Sequence, residues 1–142
     1  MTPRIPVSCN AGRRPAWQAG RVSLRVLIVD DNASFIDAAR VLLERQGMGI
    51  AGIAMTSSEA LRQANELRPD VVLVDISLGR ESGFDLAQRL VECDSRAVVI
   101  LISTHSESDF ADLIAESPAT GFLPKLDLSA DAIDQILNGG SR

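Results

Sequence analysis

Residues 70-DVVLVDISL-78 set four consecutive valine or leucine side chains, Val71 to Val74, directly before a carboxylate, Asp75. A strand this uniformly apolar is covered on both faces, as strands of parallel sheets are. Three further runs have the same form: 25-RVLIVDD-31, 97-AVVILIS-103 and 119-ATGFLPK-125. They close on Asp30 and Asp31, on Ser103 and on Lys125. In a parallel sheet such strand ends share one edge, and that edge is where open α/β folds bind ligands.

Between these runs the apolar spacing changes to that of helices. After a first strand at about 25–29, Phe35, Ile36, Ala39, Leu42 and Leu43 predict a helix over about 33–46, ended by Gly47. A short second strand, about 49–54, carries two glycines and suits a sheet edge. The stretch 56-TSSEA-60 is a capping pattern that opens a helix over about 57–67, and Pro69 blocks its continuation. The third strand, 71–75, precedes a helix over about 83–92. A fourth strand at 97–102, a weaker helix at 107–116, a fifth strand at 120–123 and a last helix at 129–138, stopped at Gly139-Gly140, complete the pattern. Five successive β–α units predict an α/β domain, a parallel sheet with helices on both faces.

A chain of 142 residues fits one domain with one core. Residues 1–23 hold three prolines and no apolar period, and read as a disordered extension ahead of a domain at 24–142. The net charge of −5 is unevenly spread: Arg4, Arg13, Arg14 and Arg21 stand in the first 24 residues with no acid. The remainder has ten basic against nineteen acidic side chains. An acidic body with sparse aromatics argues against direct DNA binding or base stacking. Cys9 and Cys93 make neither a disulfide framework nor a zinc site by their spacing, so a reducing, cytoplasmic setting is the expectation. No apolar run approaches the ~18–20 residues that span a bilayer. Arg13-Arg14 lacks the apolar stretch of an export signal. Few residues follow the last predicted helix, so the expectation is that no output domain stands there.

The chemistry of the shared edge follows from its residue types. A hard dication such as Mg²⁺ takes carboxylate oxygens, waters and phosphate oxygens. Asp30 and Asp31 offer two carboxylates, and Asp75 a third that can also attack phosphorus as an acyl-forming nucleophile. Phosphoryl transfer needs in-line positioning and neutralised equatorial oxygens, which the cation, the Lys125 ammonium and the Ser103 hydroxyl provide. Taken singly these residues have plainer readings: Asp30-Asp31-Asn32 as a helix cap, Asp75 as a turn cap, Ser103-Thr104 as a strand-end turn, Lys125 as a solvated charge. Their joint occurrence at the exits of strands one, three, four and five favours the site.

On 25-RVLIVDDN-32, 70-DVVLVDISL-78 with Gly83, 98-VVILIST-104 and 121-GFLPK-125, the chain resembles the receiver domain of two-component response regulators, of stand-alone type, over about 24–138. The resemblance implies a flavodoxin-like, doubly wound (βα)5 sandwich with strand order 2-1-3-4-5. It implies Asp75 as phosphoacceptor, and Mg²⁺ (or Mn²⁺) held by Asp30, Asp31, Asp75 and the Ser77 carbonyl. It further implies Ser103 as switch hydroxyl beside Lys125, and Phe122 as the rotating aromatic. Ser77 and His105 occupy positions that tune hydrolysis of the acyl phosphate. The implied partners are a histidine kinase or phosphotransfer protein and a downstream protein target. A homodimer through helix four, strand five and helix five is also implied. The domain is then a signalling module rather than an enzyme, at most catalysing its own phosphorylation and dephosphorylation.

The chain departs from the family pattern in places. Proline usually follows the lysine, whereas here Pro124 precedes Lys125 and Leu126 follows. A cis peptide at Lys125–Leu126 is therefore not expected, since it costs about 3–4 kcal/mol before a non-proline residue. The loop 79-GRESG-83 lacks the common proline, and Phe122 has no phenolic hydroxyl. Two other readings stand beside the phosphoacceptor: a degenerate receiver acting as an unphosphorylated interaction module, and a Mg²⁺-dependent phosphatase with an aspartyl nucleophile. The phosphatase would place a general acid at residue 77, where serine is a poor one. A flavin site would want a phosphate-cradling loop in place of Asp-Asp-Asn.

Overall fold

The computed structural model describes residues 24–94, 97–105 and 107–138. The extension read at 1–23 and the glycine stop at 139–140 lie outside them. The elements are β1 (Arg25–Val29), α1 (Ala33–Arg45), β2 (Gly49–Ala54), α2 (Ser57–Leu67), β3 (Val71–Asp75), β4 (Ser77–Leu78), β5 (Glu81–Ser82), α3 (Gly83–Cys93), β6 (Val99–Ser103), α4 (Ala111–Glu116), β7 (Gly121–Pro124) and α5 (Ala130–Leu137). Five strands form one parallel sheet in the order β2-β1-β3-β6-β7. This is the 2-1-3-4-5 order expected, with the fourth and fifth sheet strands numbered β6 and β7. The renumbering reflects a small antiparallel hairpin, β4–β5, that the apolar pattern does not show.

Alternation along the central strands splits the core between the two faces of the sheet. Val26, Ile28, Val71, Leu73, Ile100 and Ile102 face one way and pack with Ile36, Ala39 and Leu43 of α1 and Ile133 of α5. Leu27, Val29, Val72, Val74, Val99 and Leu101 face the other way and pack with Ala60 of α2 and Leu86, Ala87 and Leu90 of α3. All of β3 and β6 is buried, as the uninterrupted runs required.

The helix starts follow their caps. The Asn32 side chain accepts from Phe35 N–H, Thr56 from Glu59 N–H, Ser82 from Phe84 and Asp85 N–H, and Ser129 from Ala132 N–H. Glu59 reaches back to Met55 N–H at 2.9 Å, a capping box displaced by one residue. Helix four departs from its expected span. Residues 107–110 form a 3-10 turn, and the α-helix begins only at Ala111, where Phe110 offers no side-chain cap. No cis peptide occurs among the described residues. Cys93 is disulfide-bonded, which corrects the expectation of unpaired cysteines; its partner lies outside the described residues.

Candidate phosphate and metal site

Register brings the predicted residues together. Val29 pairs with Val74, so Asp30 leaves β1 level with Asp75 on β3. Asp75 pairs with Ile102, and Ser103 with Pro124, so Ser103 and Lys125 follow at the next two strand ends. Four of the five strands thus deliver one polar group each to a single edge.

Asp30 is fully buried, and its Oδ1 accepts from Asn32 N–H at 2.9 Å. Its Oδ2 lies 2.6 Å from Lys125 Nζ, an ion pair, yet is buried without accepting any well-aligned hydrogen bond. Asp75 Oδ1 accepts from Ser77 N–H at 3.0 Å, and Oδ2 accepts from Lys125 Nζ at 3.2 Å. Lys125 is therefore not the solvated surface charge of the plainer reading. Its side chain is 10% exposed, and its ammonium stands 4.3 Å from the centre of the Phe35 ring. The helix-cap reading of 30–32 is met by Asn32 alone, which leaves the two aspartates for other work.

Burial pushes the Asp75 carboxyl above the ordinary aspartate value, and the neighbouring Asp30 carboxylate adds to the rise. The Ser77 N–H and the Lys125 ammonium oppose it. Asp30, Asp31 and Asp75 each offer an oxygen within 4.8 Å of the others. Three hard oxygen donors, with the Asp30 Oδ2 buried and without a hydrogen-bond partner beside them, form a donor set that fits a divalent cation of the Mg²⁺ type.

The remaining predicted residues lie around this group. Ser103 is buried at the end of β6, and its Oγ accepts from His105 N–H at 2.9 Å with His105 Nδ1 at 3.5 Å. His105 is exposed and meets Phe110 edge-on at 5.6 Å between ring centres. Phe122, on β7, is half-buried against the core face shared by α2 and α3. Ser77 opens the β4–β5 hairpin. Two residues take part in ways the sequence reading does not give: Phe35 beneath the lysine and Gly83 against the end of β3. A Cβ on Gly83 would stand 2.1 Å from the Asp75 carbonyl oxygen, so glycine alone lets α3 start against the end of β3. The spacing of Phe35 places it on the buried face of helix one, and spacing does not separate that role from support of a cation.

Residues 26–138 match the response regulator receiver domain, and the chain belongs to that family. Among its relatives, response regulator GacA of Pseudomonas aeruginosa is 28% identical over 82% of this chain and 56% of its own length. DNA-binding response regulator MtrA of Mycolicibacterium paratuberculosis is 32% identical over 71% of this chain and 44% of its own. The chain spans about half the length of the curated relatives it matches. Among solved structures, a LuxR-family two-component response regulator from Aurantimonas sp. SI85-9A1 superposes with a TM-score of 0.75 at 29% identity, covering 82% of this chain and 86% of that one. A response regulator from Burkholderia pseudomallei, solved with a phosphorylated aspartic acid, a calcium ion and citrate, gives 0.69 at 25% identity over 81% and 66%. The fold and the family expected from sequence both stand.

Proposed function

We propose that this receiver accepts a phosphoryl group on Asp75 from a histidine kinase or phosphotransfer protein, and signals through a phosphorylation-dependent protein contact. One observation carries the reading: a nearly buried ammonium, Lys125, bridges Asp30 and Asp75 inside a cluster of three carboxylates. Three acids so close repel one another, and a lysine tied to two of them is poised to neutralise an incoming phosphoryl group.

In this reading an Asp75 oxygen forms the new O–P bond while the bond from phosphorus to the donor nitrogen breaks, the electron pair staying on that nitrogen. Ser77 N–H holds one carboxylate oxygen and so orients the other. Asp30, Asp31, Asp75 and the Ser77 carbonyl would hold Mg²⁺ (Mn²⁺ as the alternative ion), which when bound neutralises the phosphoryl oxygens. Lys125 Nζ is already at Asp75 and meets the phosphoryl group by a small shift from Asp30. Ser103 gives up its contact with His105 to donate to the phosphoryl group, and Phe122 follows into the vacated space. The surface of α4, β7 and α5 is remodelled in consequence, for a protein target or a second copy. Ser77 and His105 flank the path of a hydrolytic water. Among the described residues no helix is long and apolar enough to cross a membrane.

Incubation with a small phosphodonor and Mg²⁺, followed by mass spectrometry, tests the reading. The expected result is one phosphate, stable in acid and released by hydroxylamine, absent from Asp75→Asn. An unmodified chain would instead make it a degenerate receiver acting by contact alone. Multiple turnover of a phosphomonoester would make it a phosphatase.

A further inference from the structure

Glu81 makes a contact that neither the capping pattern nor the phosphoryl chemistry absorbs. Its Oε1 accepts from Ser57 N–H at 2.7 Å, across 24 residues of chain. Ser57 is the first residue of α2, and its N–H is one of the donors that a helix start leaves unpaired. The local capping groups are engaged elsewhere: Thr56 Oγ1 accepts from Glu59 N–H, and Glu59 accepts from Met55 N–H. A carboxylate at this end of a helix is also favoured by the helix dipole.

Glu81 stands on β5, opposite Leu78, and Ser82 stands opposite Ser77. Leu78 is buried in the core beneath the hairpin. The turn between the strands passes through Gly79, at φ +60°, where a Cβ would lie 3.3 Å from Asp31 Oδ2. The hairpin therefore borders the acidic cluster at both ends, at Ser77 beside Asp75 and at Gly79 beside Asp31. The loop 79-GRESG-83 holds no proline to restrict its backbone.

Resting on the phosphoacceptor reading above, we propose that Glu81 is a positioning residue for the metal half of the site: its carboxylate pins the β4–β5 hairpin to the first turn of α2 and so fixes Ser77 against Asp75. Glu81 touches neither cation nor phosphate. It acts through the hairpin, as outer partners of metal ligands do.

The test uses the full chain and Mg²⁺ alone. Calorimetry measures Mg²⁺ affinity for wild type, Glu81→Ala, Glu81→Gln and Thr56→Ala, and amide exchange of residues 77–82 is followed in the metal-free proteins. Glu81→Ala is expected to weaken Mg²⁺ binding roughly tenfold and to speed exchange in the hairpin. Glu81→Gln keeps an acceptor oxygen and should stay within about threefold of wild type. Thr56→Ala cuts the cap of α2 without touching the hairpin, and should leave Mg²⁺ affinity unchanged. Wild-type affinity in Glu81→Ala with unaltered exchange would overturn the proposal, as would equal weakening in all three variants. If wild type itself takes up no Mg²⁺ at millimolar concentration, the phosphoacceptor reading falls first and this inference with it.

Discussion

Replacing Lys125 with methionine keeps the length of the side chain and removes its charge. In the protein that charge lies 2.6 Å from a fully buried Asp30 carboxylate and 3.2 Å from Asp75. Taking one partner from a buried pair costs about 3–5 kcal/mol, because the other charge is left uncompensated. Protonation limits the loss. Neutralising an ordinary carboxyl costs about 1.36 kcal/mol per pH unit above ~3.9, hence about 5 kcal/mol near pH 7.5 and about 1.5 near pH 5. Asp75, whose carboxyl is already pushed up by burial, takes up that proton for less. The expected loss is therefore about 3 kcal/mol near pH 7.5 and under about 1.5 near pH 5. For a domain of this size the former lowers Tm by roughly 12 °C. Urea and thermal unfolding with chelator, at both pH values, measure it. Mg²⁺ should then restore more stability to the variant than it adds to wild type, since the ion supplies the missing countercharge. A loss below about 0.5 kcal/mol near pH 7.5, or an equal loss at both pH values, would refute the view that Lys125 neutralises this cluster.

Further outcomes are expected. Gly83→Ala sets a Cβ 2.1 Å from backbone that no side-chain rotation can clear. It should cost about 3 kcal/mol or more by urea denaturation and abolish the phosphorylation proposed for Asp75; a change under about 0.5 would show that α3 can shift freely. Asp75→Asn should stabilise the metal-free protein near neutrality. The folded carboxyl titrates above its unfolded value, so the folded state holds the extra proton between the two. Wild-type stability therefore falls as pH rises through that window, while the variant lacks the step. Unfolding curves from pH ~3.5 to ~7.5 should show the variant's advantage growing with pH, and a constant difference would contradict the sign.

The parallel sheet was legible because the apolar runs alternate with helical spacing and each stops at a polar residue, whereas its strand order was implied only by the resemblance to receivers. Period and punctuation are local properties, and they located nearly every helix start: Asn32, Thr56, Ser82 and Ser129 cap where such residues stand in the chain. The four strand-end groups were legible for the same reason, since topology forces strand exits onto one edge. Helix four was less so. Its 3-10 opening ends at Phe110, whose ring meets His105 on one side and Phe84 on the other, contacts that spacing along 107-ESDF-110 does not reveal.

What pattern could not supply is pairing across the chain. Which atom of Lys125 meets which aspartate depends on register between β1, β3 and β7. That its ammonium stands 4.3 Å from the Phe35 ring is likewise a contact between elements 90 residues apart in the chain. The contacts of Glu81 and Gly83 are likewise not written in the spacing of the sequence. Their roles lie in contacts with Ser57 and with the Asp75 backbone, set by how α2, the hairpin and α3 pack on the sheet. Periodicity reports which side of an element faces the core. Only folding brings together groups 24 or 50 residues apart, because their proximity is a property of the packed layers.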